Sequence, residues 1–195
     1  MMRLLTLSLL GGTAIALAAC EKAEAPAPAN DQANAAQPAA APKDPIESAL
    51  SAAPAGIASA AAVVSASADG TMKPLREGTN GFTCMPDNPV TPGPDPMCMD
   101  ANAMKWAAAW IGKKAPPADT VGLIYMLEGG TDASNTDPYA KDPSKGKWVE
   151  TGPHVMIVGA PSLTAQYKGG ESPDTAAPYT MWEGTPYAHV MIPVK

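Results

Sequence analysis

The chain is poor in the residues that ordinarily build large cores and reaction centres. Of 195 residues one is phenylalanine (Phe82), two are histidines and three are cysteines, and aromatic residues make up 5%. A core must therefore be assembled from Val, Ile, Leu, Met and Trp. The 22 prolines and 17 glycines place many turns around it, yet stay below the level typical of low-complexity disorder. Acidic residues outnumber basic ones, 19 against 13, for a formal net charge of −6. An acidic surface argues against nucleic acid as a partner and against charge-driven binding to an anionic lipid face. No Gly-x-Ser-x-Gly, His-Glu-x-x-His, P-loop or dinucleotide fingerprint occurs, so the common enzyme classes gain nothing from the sequence.

The apolar run Leu4 to Ala18 is shorter than the about 20 residues a spanning helix needs, and the acidic, Pro-rich sequence after it gives no extension. Met1-Met2-Arg3 ahead of the run and small residues at its end have the order of a signal peptide. Leu17-Ala18-Ala19-Cys20 resembles the lipobox of bacterial lipoproteins, in which a small aliphatic triplet precedes the cysteine that receives the lipid. The resemblance implies a leader over 1–19, lipidation of Cys20 and a membrane as partner through the anchor. Diacylglycerol plus an amide-linked acyl chain exceeds the two membrane signals that stable anchoring requires. Glu21 stands where the inner-membrane retention signal of some lipoproteins has Asp, which points to the outer membrane, with the domain facing the periplasm.

Residues 20–43 are almost wholly Ala, Pro, Glu, Asn, Gln and Asp. Such a segment cannot bury enough apolar surface to offset its ordering entropy, so a disordered tether is expected. Residues 44–195 then form one domain by length. Asp44-Pro45-Ile46-Glu47 is a capped helix start, and the helix should end before Pro54. Val63 to Ser67 and Thr71-Met72-Lys73 read as a hairpin around Ala68-Asp69-Gly70, with Pro74 demoting its second arm to an edge strand.

Residues 78–100 hold Cys84 and Cys98, separated by five prolines that forbid helix and interior strand. Outside the cytoplasm a cysteine pair usually means a disulfide. The alternative is a soft metal site, because Met85, Met97 and Met99 flank the thiols, although no Cys-x-x-Cys spacing is present. Asp87, Asn88, Asp95 and Asp100 fit no calcium loop pattern and read as turn formers and a helix cap.

Asp100 to Lys113 is a capped helix with Met104, Ala107, Ala108 and Ile111 on one stripe. Trp106 and Trp110 form a second stripe, read as core packing or as a sugar or partner platform. Val121 to Leu127 is a buried strand. Thr131 to Gly152 is a long polar loop, a length often functional, offering Ser134, Asn135, Asp137 and Tyr139 as site residues. Its bland reading is a turn-rich surface connection.

Both histidines lie in matching segments, Gly152-Pro-His154-Val-Met156-Ile and Tyr187-Ala-His189-Val-Met191-Ile. In a strand, His and Met two apart share a face. Paired in register, such strands would bring His154 beside His189, with Met156 and Met191 next to them. That set suits copper, or one His acting as general base; the bland reading is two core strands. A short helix over 162–167 and a strand over 179–182 separate them.

Thr79 to Asp87, Ser134 to Ala140, Gly152 to Ile157 and the stretch from Met181 to Pro193 resemble a group of uncharacterised exported bacterial proteins. The resemblance implies one folded domain and brings no activity with it. The expected architecture is α+β, a single domain with a mainly antiparallel sheet and two to three helices. The leading functional expectation is a cell-envelope binding or interaction module with a protein or small-molecule partner and no cofactor. The alternatives are a periplasmic copper-binding protein using His154, His189, Met156 and Met191, helped by Met97 and Met99, and a hydrolase with a His base and a carboxylate or Ser134 from the long loop.

Overall fold

Short strands and two capped helices account for most of the regular secondary structure among the described residues. The computed structural model describes residues 44–67, 71–143 and 146–194. The expected leader over 1–19, Cys20, the tether over 20–43 and the turn at 68–70 lie outside the described residues. Four helices and ten strands occur among them, within one compact unit. In chain order they are α1 (Pro45–Ser51), α2 (Ala55–Ala58), β1 (Ala62–Ala66), β2 (Met72–Arg76), β3 (Thr83–Met85), β4 (Met97–Met99), α3 (Ala101–Ile111), β5 (Gly122–Met126), β6 (Gly130–Asp132), β7 (Val149–Thr151), β8 (His154–Val158), α4 (Pro161–Thr164), β9 (Tyr179–Met181) and β10 (His189–Pro193). No helix among the described residues is long and apolar enough to cross a membrane.

Eight strands form one sheet in the order β2-β1-β3-β4-β5-β8-β10-β9, and β6 and β7 form a separate pair. Every pairing is antiparallel except β1 with β3, so the fold is α+β with a mainly antiparallel sheet. β2 is an edge strand, as Pro74 requires, because proline has no N–H to give a second neighbour.

Two aspartates start the longer helices, α1 and α3. Asp44 Oδ1 accepts from the backbone N–H of Ile46 and Glu47 at 2.9 and 3.3 Å. Asp100 Oδ1 accepts from Asn102 and Ala103 at 3.0 and 2.7 Å, while its Oδ2 accepts from Leu123 N at 3.0 Å. One carboxylate thereby caps α3 and ties it to β5. The contact is close: a Cβ on Gly122 would meet the backbone of Ala103, with its Cα at 2.7 Å. Only glycine lets helix and strand approach this far.

The pleat divides the core into two layers. Cys84 and Cys98 lie directly opposite each other on β3 and β4 and are joined by a disulfide. They share their face with Val63 and pack under Ala49, Ala52 and Ala53 of the α1 segment. The other face carries Met99, Ile124, Met126, Met156, Val158, Tyr179, Met181 and Met191, covered by Ala103 and Trp106 of α3.

Trp106 of α3 is buried with Ala103, as the core-packing reading expected. Three expectations change. The Met104–Ile111 stripe of α3 is only partly a core face: Met104 and Ala107 pack against the core, while Ile111 is 60% exposed. The polar stretch from Thr131 is not a plain loop: β6 and β7 form a hairpin at its base. Lastly, β8 and β10 are antiparallel with Met191 opposite Met156 and Pro193 opposite His154. The two histidines therefore share a face but stand toward opposite ends of the ladder, not side by side.

Candidate functional site

The histidines are built alike. Each sits at the first position of its strand, with Nδ1 facing the carbonyl two residues back: 2.7 Å to Gly152 for His154, 2.9 Å to Tyr187 for His189. A carbonyl only accepts, so Nδ1 carries the proton and Nε2 presents a lone pair. Both rings are buried, 1% and 0% exposed, and neither Nε2 has a hydrogen-bond partner among the described residues. Burial lowers both pKa values. That of His189 falls to about 4, helped by His154, against the backbone bond that raises it. Both are neutral imidazoles at physiological pH.

Their surroundings differ. His189 lies in an aromatic cluster, 5.2 Å from the Trp106 ring and 4.9 Å from Trp182, edge-on to both. Trp106 and Trp182 stack nearly parallel at 6.2 Å, and Trp110 leans on Trp182 at 5.0 Å. His154 stands opposite Met126 of β5, and a Cβ at Gly130 would come within 3.1 Å of its Cε1 and 2.9 Å of Met126 Cε.

The loop residues singled out from the sequence form a strap over the aromatic cluster. Trp182 Nε1 donates to Ser134 O at 3.1 Å, and Trp182 N donates to Asn135 O at 2.7 Å. Trp110 Nε1 donates to Pro138 O, and Tyr139 OH to Trp110 O. Ser134 Oγ accepts from the N–H groups of Thr136 and Asp137 at 3.1 and 2.9 Å, and Asp137 Oδ1 accepts from Tyr139 N at 2.9 Å. These are turn-forming bonds of the kind that Ser and Asp side chains make to nearby backbone. Asn135, 1% exposed, donates through Nδ2 to Gly170 O and Thr180 O at 2.7 and 3.2 Å. Its Oδ1 has no partner among the described residues.

No hydrogen bond joins Ser134 to either histidine, and each Nδ1 is oriented by a carbonyl and not by a carboxylate. The base-and-nucleophile arrangement of a hydrolase is therefore not formed by these groups. Ser134, Asn135 and Thr136 instead line a cleft of about 100 Å³, closed by Lys147, Glu171 and Ser172. Neither the cleft nor Lys147 and Glu171 stood out in the sequence, because charged loop residues are common and only the fold brings 134–136 near 171–172.

A third group of side chains gathers near the β6 hairpin. Asp87 Oδ1 accepts from Asp95 N, and Asp95 accepts from Asn88 N and the Thr91 hydroxyl. These bonds fold the Pro-rich loop, as the turn-former reading expected. Burial raises Asp95 to about 6, offset by its bonds to Asn88 and Thr91 and reinforced by Asp87. Burial followed by the charge of Asp95 pushes Asp132 up to about 7. No three His, Cys, Asp or Glu side chains among the described residues are placed to hold a metal ion together. In comparisons with known proteins, the chain matches no protein-family model, no curated protein and no solved structure.

Proposed function

We propose that the chain is a lipid-anchored protein of the bacterial cell envelope, held to the outer membrane by Cys20, whose periplasm-facing domain is a non-catalytic binding module. The anchor reading rests on Leu17 to Cys20. The binding reading rests on one observation, the cleft between the Ser134–Thr136 strap and Glu171–Ser172. Its floor is rigid, because Asn135 and Trp182 fasten the strap at four hydrogen bonds. Its rim carries the Lys147 ammonium and the hydroxyls of Thr136 and Ser172, a set suited to a polar or anionic group. At about 100 Å³ it lies well below the about 300–1,000 Å³ of pockets that enclose whole ligands. It suits one or two residues, or one polar group, of a larger partner.

Photocrosslinking residues placed at Thr136 and Lys147 in intact cells test this directly. A discrete adduct from both positions, absent when the probe is at Lys73 on the edge strand, is the expected result. Equal labelling from all three positions would refute a localised site. Substitution Cys20→Ala is expected to release the protein from the membrane fraction; retention would refute the lipid anchor.

A further inference from the structure

The sheet face under α3 gathers thioethers in rows. On β3, Met85 stands opposite Met97 of β4. The β4–β5 ladder pairs Met99 with Ile124 and Cys98 with Tyr125, so its next step sets Met97 toward Met126. Met126 in turn stands opposite His154 of β8. One lateral row across four neighbouring strands thus reads Met, Met, Met, His.

Its buried end is organised as a ligand. His154 Nδ1 is held by Gly152 O, which fixes the ring and leaves Nε2 as a buried lone pair with no partner among the described residues. Metal-binding histidines are oriented in this way, with the other ring nitrogen donating to a carbonyl or carboxylate. The Met126 thioether is adjacent: one point over Gly130 lies 3.7 Å from Met126 Sδ and 3.1 Å from His154 Cε1. Met85 and Met97 are only half-buried, so the row leads from the surface to the imidazole. The thiols of Cys84 and Cys98 are absent from this set, being oxidised and on the opposite face.

Donors of this kind select their metal. Thioethers are soft, uncharged ligands that favour Cu(I), whereas zinc and calcium sites need thiolates, several imidazoles or carboxylates. We propose that His154 Nε2, Met126 Sδ and Met97 Sδ bind one Cu(I) ion, with Met85 at the mouth of the site. His189 is the internal contrast. It presents the same lone pair, but in a cage of Trp106 and Trp182 with a single thioether, Met181, opposite it.

The test is an anaerobic titration of the full-length protein in detergent with Cu(I), against a chromophoric Cu(I) chelator. One ion per chain is expected, with X-ray absorption giving a mixed nitrogen and sulfur shell. The Met97→Leu, Met126→Leu double variant keeps core volume and apolarity. It should weaken binding by more than the about 10–100-fold that losing an outer-shell partner costs. His154→Leu should abolish the nitrogen contribution. Ag(I), a diamagnetic Cu(I) substitute, should shift the NMR signals of His154 and the Met126 methyl and leave those of His189 in place. If the wild type takes up no Cu(I), or the natively folded double variant binds as tightly as wild type, the site is refuted and the methionines serve packing alone.

Discussion

Asp132 gives the domain a pH dependence that one isosteric substitution should remove. The residue ends β6, with Asp95 as its charged neighbour and the Tyr179 phenol, itself pushed up to about 12, also feeling its charge. Its carboxyl rises from 3.8 to about 7 on folding, first through burial and then through Asp95. Below pH 3.8 it is protonated in both folded and unfolded chains and costs nothing. Between 3.8 and 7 the unfolded chain releases the proton while the folded one retains it, so stability falls as pH rises. Above 7 the penalty is complete. At 1.36 kcal/mol per pKa unit the shift corresponds to about 4 kcal/mol. Asp132 keeps some exposure, which lowers the expected effect to about 2–4 kcal/mol.

Asp132→Asn keeps the shape and removes the charge. Its stability relative to wild type should be near zero at about pH 3 and reach about 2–4 kcal/mol in favour of the variant at about pH 8. Urea unfolding at a series of pH values, with equal slopes for both proteins, measures the difference. His189 acts with the opposite sign. Its pKa is lowered to about 4 in the folded chain, so the unfolded chain takes up a proton first as pH falls through 6.5, and stability is lost toward acid. That limb is common to both proteins and cancels in the difference curve. A pH-independent difference would refute the assignment of a buried, protonated Asp132.

Replacing Cys84 and Cys98 by Ala should lower stability by about 3 kcal/mol, the chain-entropy value for a loop of this length, seen as a lower urea midpoint and matched by the reduced wild type. Gly122→Ala drives a methyl into the Ala103 backbone; a loss of about 1–3 kcal/mol and a changed near-UV signal from Trp106 should follow, and an unchanged spectrum would contradict the close approach of α3 to β5. Asn135→Ala strands the carbonyls of Gly170 and Thr180, at a cost of about 1–3 kcal/mol, and should quicken hydrogen exchange at the Trp182 amide, which the strap accepts from.

What the sequence discloses about this fold is local. Asp44 and Asp100 announce α1 and α3 because a cap followed by helix-forming residues is a short-range signal. Pro74 marks an edge strand because it lacks an N–H, and Cys84 with Cys98 reads as a disulfide over a soft metal site because no Cys-x-x-Cys spacing is present and the expected compartment is oxidising. Strand order and register depend on contacts far apart in the chain, and no local pattern encodes them. β3 and β4 are three residues each and hidden among prolines, too short for alternation to register. The antiparallel pairing of β8 and β10 was equally invisible. The shared His-Val-Met-Ile suggested that the two rings meet, whereas reversal of one strand joins Met156 to Met191 and carries the histidines apart. In the strap, Ser134, Asn135, Asp137 and Tyr139 drew attention as polar residues in a long loop. Three of the four spend their side-chain hydrogen bonds on backbone within the strap or on α3, and Asn135 spends its own on β9 and the segment before it.

The two cysteine-bearing strands show why composition alone misassigns this chemistry. As a string, Thr83-Cys84-Met85 and Met97-Cys98-Met99 look like one sulfur-rich cluster of thiols and thioethers. The pleat separates them with period two. Both thiols turn toward α1, close to each other, and are consumed in the disulfide. The thioethers turn toward α3, where Met85 and Met97 continue the row that reaches His154. The Cys84–Cys98 bond closes the first set to metal, whereas the second stays available, because thioethers form no disulfide. The disulfide also locks β3 to β4 at the position between Met97 and Met99, which fixes the register on which the row depends. The bond that excludes the cysteines from a metal site thus helps hold the methionines in place to form one. Replacing both cysteines by Ala, which removes the bond without freeing thiols that would themselves take Cu(I), should therefore weaken Cu(I) binding, and unchanged affinity in the natively folded variant would show that the row does not depend on the disulfide.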